Sequence, residues 1–363
     1  MSVPSQPSNP TIAALAQVGC SCLALGISVF GLARFDLPIT KYVRSVTIHL
    51  PWDQLTVPWM AFTSDMGDWI GQGWRLAFLS MFLLAIAWAF ERPSIKLVAI
   101  QTLIAHGIAA LLANVLKHLI GRPRPKFVHS GDWQMNFSFV SGLDSFPSGH
   151  STASFAIATV LAKRFPAVGP FCLAIAVFVG ISRVLRGSHF LTDVVGGAII
   201  GILSGFVATA PLRQWRSSVE EGLYYAAIAS SIVLGMLWTL SHRMDDGITG
   251  LVFVTGGIIP VAWGLWGRKD YWVRGNRSGP NPWQATVSKV LIAFGVAIMT
   301  TSLLLVAAVG CVCVATWFRS LRYSHQEDER ATQWFVLREG AILGSLFLAL
   351  FILGSARGIL PFQ

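Results

Sequence analysis

Charge is what this chain has least of. Only 12% of its 363 residues are Asp, Glu, Lys or Arg, while 54% are hydrophobic, whereas an ordinary soluble domain carries about a quarter charged residues. Such a balance excludes a water-soluble globular protein and leaves a lipid bilayer as the setting. Cysteine is scarce too. Cys20, Cys22, Cys172, Cys311 and Cys313 all lie inside apolar runs, with no Cys/His spacing for a zinc site or a disulfide framework. They read as packing residues and say nothing about the redox compartment. The first ten residues contain no Lys or Arg ahead of a long apolar run, and no clean small-residue cleavage site follows. This makes a poor secretory signal, so the first span is expected to be retained. Low-complexity tracts and internal repeats are missing as well.

Apolar runs are plentiful. A spanning helix needs about 20 mostly apolar residues, and ten stretches qualify or come close: 12–33, 74–90, 96–116, 151–163 with its flanks, 168–185, 193–212, 222–241, 248–267, 288–318 and 333–354. The fold expected is all-α, a polytopic helix bundle. Between the first two spans, residues 35–73 form a long connection carrying Trp52, Trp59 and Trp69, residues suited to the headgroup region. Short helices lying on the membrane surface are expected there.

The net charge is +10, from 27 Lys plus Arg against 17 Asp plus Glu. Nucleic acid, anionic lipid and membrane topology could each account for a basic excess. Its placement favours topology. Arg92 and Lys96, Lys163 and Arg164, Arg213 and Arg216, and the group Arg268, Lys269, Arg274, Arg277 and Lys289 fall in alternate connections, as the positive-inside rule requires of cytoplasmic loops. Both termini are then cytoplasmic, and no nucleic-acid partner is expected.

Three charged clusters break the apolar pattern on the opposite side. They read Lys117-His-Leu-Ile-Gly-Arg-Pro-Arg124-Pro125, Phe146-Pro147-Ser148-Gly149-His150, and Ser182-Arg183-Val-Leu-Arg-Gly-Ser-His189-Phe-Leu-Thr-Asp193. His189 and Asp193, four residues apart, share a face if a helix begins there. The carboxylate could then orient the ring and leave one nitrogen as a nucleophile. A helix-start His with an Asp capping the first turn is the plainer reading. Ser148 and Gly149 at a helix start present backbone N–H groups to an anion, and His150 beside them is a candidate general acid. Capping explains the Pro, Ser and Gly, but leaves the histidine unexplained. Lys117, Arg124 and Arg183 supply fixed positive charge of the kind phosphoryl transfer uses. Snorkelling at span ends would also place such residues, though on this side it runs against the positive-inside bias. For His118, Arg122, Lys126 and Arg186 snorkelling or headgroup contact is at least as good a reading. A metal held by the two histidines and Asp193 is disfavoured, since the neighbouring cations would repel it and attract an anion.

Together the clusters resemble the signature of the type 2 phosphatidic acid phosphatase and vanadium haloperoxidase superfamily: Lys, six residues, Arg-Pro; then Pro-Ser-Gly-His; then Ser-Arg, five residues, His, three residues, Asp. The match at Lys117, Arg124, Pro125, Pro147, Ser148, Gly149, His150, Ser182, Arg183, His189 and Asp193 has no departure. It covers residues 35–212. The resemblance implies a six-span phosphatase core in which His189 attacks phosphorus, Asp193 orients it and His150 protonates the leaving alkoxide. Lys117, Arg124, Ser148, Gly149 and Arg183 would bind the phosphate, with no metal or cofactor. It divides the chain into residues 1–34, a tail and first span; 35–212, the rest of the core; and 213–363, with four further spans and no nameable motif.

The leading expectation is therefore an integral membrane phosphatase that acts on a lipid phosphate or pyrophosphate at the periplasmic, extracellular or lumenal face, with membrane lipids around it. Two alternatives are a vanadate-dependent haloperoxidase, whose relatives of that kind are soluble, and a lipid-binding or transport protein built on a phosphatase core.

Overall fold

The computed structural model of the protein describes residues 10–48, 54–128, 136–241, 248–269, 282–323 and 335–356. Trp52, Arg274 and Arg277 lie outside them. Almost everything described is helix. Among the described residues twelve α-helices follow one another: α1 Pro10–Ser45, α2 Pro58–Gly71, α3 Gly73–Ala89, α4 Pro93–Ile120, α5 Gly149–Arg164, α6 Gly169–Leu185, α7 Leu191–Thr209, α8 Trp215–Ser241, α9 Ile248–Trp266, α10 Pro282–Met299, α11 Leu303–Tyr323 and α12 Phe335–Ala356. A two-residue antiparallel ladder, β1 Thr47–Ile48 with β2 Gln54–Leu55, follows α1. Six of the helical stretches are long and apolar enough to cross a bilayer, or seven if α2 and α3, bent by 51°, count as one broken span.

Two expectations about spans change. The run 288–318 is not one helix. It divides into α10 and α11 at Thr300, Thr301 and Ser302, where Thr301 takes a positive φ of 61°. The hydroxyls act on the local backbone: Thr300 Oγ1 donates to Ala297 O at 2.7 Å, and Ser302 Oγ accepts from Leu305 N. Ser and Thr compete with the helix ladder in this way. Residues 35–73 are only partly a connection, and they hold one short helix, α2. The first helix continues through Pro38 to Ser45, and α2 packs against α6.

The chain forms two compact units, residues 29–226 and residues 1–28 with 227–363, and the division falls inside α1 and α8. In the first unit α4, α5 and α7 pack on one another, with α3 against α4 and α6 against α5. Val98, Ala105 and Ala109 of α4 meet Ala156 and Val160 of α5 in a small-residue core. Gly197, Gly201 and Gly205 set how close α7 comes to α5. A Cβ on Gly197 would stand 2.6 Å from Ser148 O, and one on Gly201 2.6 Å from Thr152 O. The glycine stripe thus brings Asp193, at the head of α7, to the start of α5. In the second unit Val261, Ile292, Met299, Leu346 and Leu353 form an apolar core of α9, α10 and α12. Arg268, read from sequence as a cytoplasmic loop charge, is buried there. It makes a two-pronged ion pair with Glu339 and donates to Ser288 Oγ.

Candidate active site

The three clusters converge because α4 and α6 end where α5 and α7 begin. Lys117 stands in the last turn of α4, Arg183 in the last turn of α6, His150 in the first turn of α5 and Asp193 in the first turn of α7. Arg92 and Lys96, by contrast, lie at the start of α4, and Lys163 and Arg164 at the end of α5.

His189 lies in the turn between α6 and α7 and is 3% exposed. Its Nδ1 is 2.7 Å from the carbonyl oxygen of Ser145. A carbonyl only accepts, so Nδ1 carries the proton and, in the neutral ring, Nε2 keeps the lone pair. Burial pushes the ring below the ordinary histidine range, against the pull of Asp193.

Asp193 reaches the ring less directly than sequence spacing suggests, with its Oδ2 3.8 Å from Nδ1. Its oxygens are taken up elsewhere. Oδ2 accepts from Ser145 Oγ at 2.6 Å and from Phe190 N at 2.8 Å, and Oδ1 accepts from Arg122 Nη1. The carboxylate therefore fixes Ser145, whose carbonyl fixes the ring.

Arg122 is the residue the sequence undervalued. Far from snorkelling, it is buried, donates to Asp193 and Thr192 Oγ1, and reaches Asp36 Oδ2 at 2.8 Å. Asp36, on α1, also accepts from Thr192 N and Thr192 Oγ1. No local signal singled it out, because Arg122 stands in a charged cluster with Lys117, Arg124 and Lys126. Sequence alone could not say which partners meet across 71 residues. His118 turns away, with Nδ1 3.1 Å from Ser138 O and its ring against Phe139. Lys126 lies over the Phe127 ring.

The cations face one another around the start of α5. Lys117 Nζ would stand 3.9 Å from a Cβ on Gly149. Arg124 makes a bidentate pair with Asp144, 2.8 Å from Nε to Oδ1 and 2.7 Å from Nη2 to Oδ2, and Lys117 Nζ is 3.7 Å from Asp144 Oδ2. Burial would raise the Asp144 carboxyl, but the Arg124 hydrogen bonds and the charges of Arg124 and Lys117 outweigh it and hold it at about 2. Arg183 donates to Asp68 Oδ1, and His150 Nε2 lies 3.4 Å from the same oxygen. Ser148 is fully buried as the N-cap of α5; its Oγ accepts from Ser151 Oγ at 3.1 Å and its N–H donates to Asp193 O at 3.0 Å. Its placement is that of a cap tying α5 to α7. Among the described residues, no three His, Cys, Asp or Glu are grouped to hold a metal ion.

An imidazole nitrogen that keeps its lone pair, a second imidazole and three cations near the ends of packed helices are groups that phosphoryl transfer can use. The sequence profile of the PAP2 superfamily matches residues 98–217. The chain is 31% identical over 195 residues to a lipid A 1-phosphatase of Rhizobium johnstonii, which covers 50% of this chain and 75% of that protein. It is 39% identical over 119 residues to phosphatidylglycerophosphatase B of Bacillus subtilis, covering 29% of this chain and 53% of that protein. A crystal structure of a transmembrane PAP2 type phosphatidylglycerolphosphate phosphatase from Bacillus subtilis aligns at 29% identity over 53% of this chain and 93% of that chain, with a TM-score of 0.38. The chain belongs to the PAP2 superfamily. It is a multi-pass membrane phosphatase of that type.

Proposed function

We propose that this protein removes a terminal phosphate from a lipid phosphate or pyrophosphate on the non-cytoplasmic face of its membrane, through a phosphohistidine. The observation that carries the reading is the 2.7 Å contact of His189 Nδ1 with the Ser145 carbonyl oxygen, which accepts the Nδ1–H hydrogen bond and leaves Nε2 with the lone pair of a nucleophile. The Nε2 lone pair forms the N–P bond while the P–O bond of the ester breaks, its electron pair remaining on the alkoxide. His150 gives that oxygen a proton. Water then attacks the phosphohistidine, returning a proton to His150 and freeing His189. Lys117, Arg124 and Arg183 stabilise charge on the equatorial oxygens, and the N-terminal turn of α5 at Ser148 and Gly149 adds its dipole. None of these steps requires a metal or cofactor.

A lipid substrate suits a site built at helix ends, where a headgroup at the interface can reach it. The relatives' names point the same way, among them an undecaprenyl-diphosphatase of Bacillus subtilis that is 30% identical over 129 residues. The non-cytoplasmic side rests on the basic residues at the opposite ends of α4 and α5. Residues 213–363, which carry no second catalytic set, would shape substrate choice, stability or assembly.

The test is phosphate release in detergent from a panel including phosphatidate, phosphatidylglycerophosphate, an isoprenoid pyrophosphate and lipid A, with EDTA present. Hydrolysis of at least one, abolished in His189→Ala and inhibited by vanadate, is expected. Near-wild-type turnover in His189→Ala, or strong activation by divalent ions after chelation, would overturn the mechanism.

A further inference from the structure

The pocket's cations already hold two carboxylates, Asp144 and Asp68, and only Asp68 touches both kinds of machinery. Its Oδ1 accepts from Arg183 Nη1 and stands 3.4 Å from His150 Nε2, while Oδ2 lies 3.6 Å from Arg186 Nη1. The His150 nitrogen is buried and has no formed hydrogen bond among the described residues. Asp68 belongs to α2, outside the three clusters and the span matched by the family profile.

The helix that carries it is fixed in place. A Cβ on Gly67 would stand 2.3 Å from Ser182 Cβ, and one on Gly71 would stand 2.3 Å from Val179 Cγ1 and 3.2 Å from His150 Cδ2. These glycines let α2 lie directly on α6 and against the His150 ring, with Asp68 carried to the site between them. His150 is faced by Asp68 from α2, Lys117 from α4, Arg183 from α6 and His189 ahead of α7. Asp68 is the one negative charge in that set.

We propose that Asp68 is a positioning residue: it holds Arg183 while the pocket lacks phosphate, and it aims the His150 Nε2–H at the leaving oxygen. This rests on the phosphatase reading above. The two roles make opposing demands. A carboxylate beside Arg183 repels an incoming phosphate and competes for the guanidinium, whereas the same carboxylate favours the protonated acid that a poor leaving group needs. Removing its charge should therefore tighten phosphate binding and slow turnover together.

The test uses Asp68→Asn and Asp68→Glu in the full chain, with inorganic phosphate as inhibitor and two substrates, a short-chain phosphatidate and p-nitrophenyl phosphate. In Asp68→Asn, inhibition by phosphate should tighten about tenfold and phosphatidate turnover should fall on the order of 100-fold, the lower end of a general acid's contribution. Turnover of p-nitrophenyl phosphate, whose leaving group needs no proton, should change less than about threefold. Asp68→Glu should recover part of the phosphatidate rate, and it decides the matter if the Asn variant does not fold. Equal losses on both substrates, or weaker phosphate inhibition, would mean that Asp68 only supports the fold and would overturn the proposal. Wild-type turnover by both variants would overturn it as well while leaving the phosphatase reading intact. That reading fails separately, if the unmutated protein releases no phosphate.

Discussion

At the residue scale, the arrangement separates the group proposed to attack from the groups that hold it. His189 is oriented by a backbone carbonyl, that carbonyl by the Ser145–Asp193 hydrogen bond, and Asp193 by Arg122. Arg122→Ala would leave Asp193 and Asp36 buried without their counter-charge, a loss of about 3–5 kcal/mol for a broken buried pair, readable as a lower melting temperature in detergent. Lys at 122 would not restore it, since one ammonium cannot span both carboxylates as the guanidinium fork does. Lys117, Arg124 and Arg183 are proposed to stabilise charge on the phosphate, and replacing any one of them is expected to cost about 100- to 1,000-fold in rate. Titration follows from burial. The His189 proton affinity is lowered in the fold, so Nε2 stays unprotonated as pH falls through the ordinary histidine value of about 6.5. The acid limb of kcat/KM is therefore expected below about 6.5. At those pH values the unfolded chain takes up the proton first, so stability declines as activity persists. Asp144 has the same sign in a lower pH window. Its carboxyl is lowered to about 2, so its contribution is complete above the unfolded value of about 3.9 and is lost only as pH falls from there towards 2. Asp144→Asn should flatten that part of the unfolding curve.

At the element scale, the helix ends bring the site together and the small residues set the spacing. Gly201→Val would put a branched side chain where Thr152 O already lies 2.6 Å from a single Cβ. Overpacking of that kind costs about 1–3 kcal/mol or more, and parting α5 from α7 should reduce activity with it. Gly107→Ala, on α4 with nothing within 4 Å of the added Cβ, should instead be neutral or gain up to about 1 kcal/mol from helix propensity. Melting temperature and phosphate release from the two variants check the contrast. The sequence made most spans legible because apolar length is a local signal. It misplaced the end of the first helix and merged α10 with α11, because hydropathy does not register a break made by Thr300, Thr301 and Ser302 acting on their own backbone. The candidate site residues were legible as motifs at fixed spacing. Asp36, Asp68 and Asp144 were not, since their importance comes only from which cations they meet across 20 to 115 residues.

At the scale of the whole molecule, residues 29–226 contain every group assigned to the chemistry, and residues 227–363 hold a core of their own with the buried Arg268–Glu339 pair. A chain ending at Ser241, after α8, is expected to retain measurable activity on a short-chain substrate; a folded but wholly inactive product would show that the later helices complete the site. Orientation can be read independently. In a background without the native cysteines, Ser141→Cys, exposed beside the site, should react with an impermeant thiol reagent added from the non-cytoplasmic side. Labelling from the cytoplasm alone would mean that the topology is inverted. The central claim is that phosphate passes through His189. Rapid quenching with a substrate labelled in its terminal phosphate tests it most directly. The account predicts an acid-labile, base-stable phosphoenzyme, with the label on the peptide containing His189 and none in His189→Ala, whereas label on another residue, or undiminished label in that variant, would contradict it.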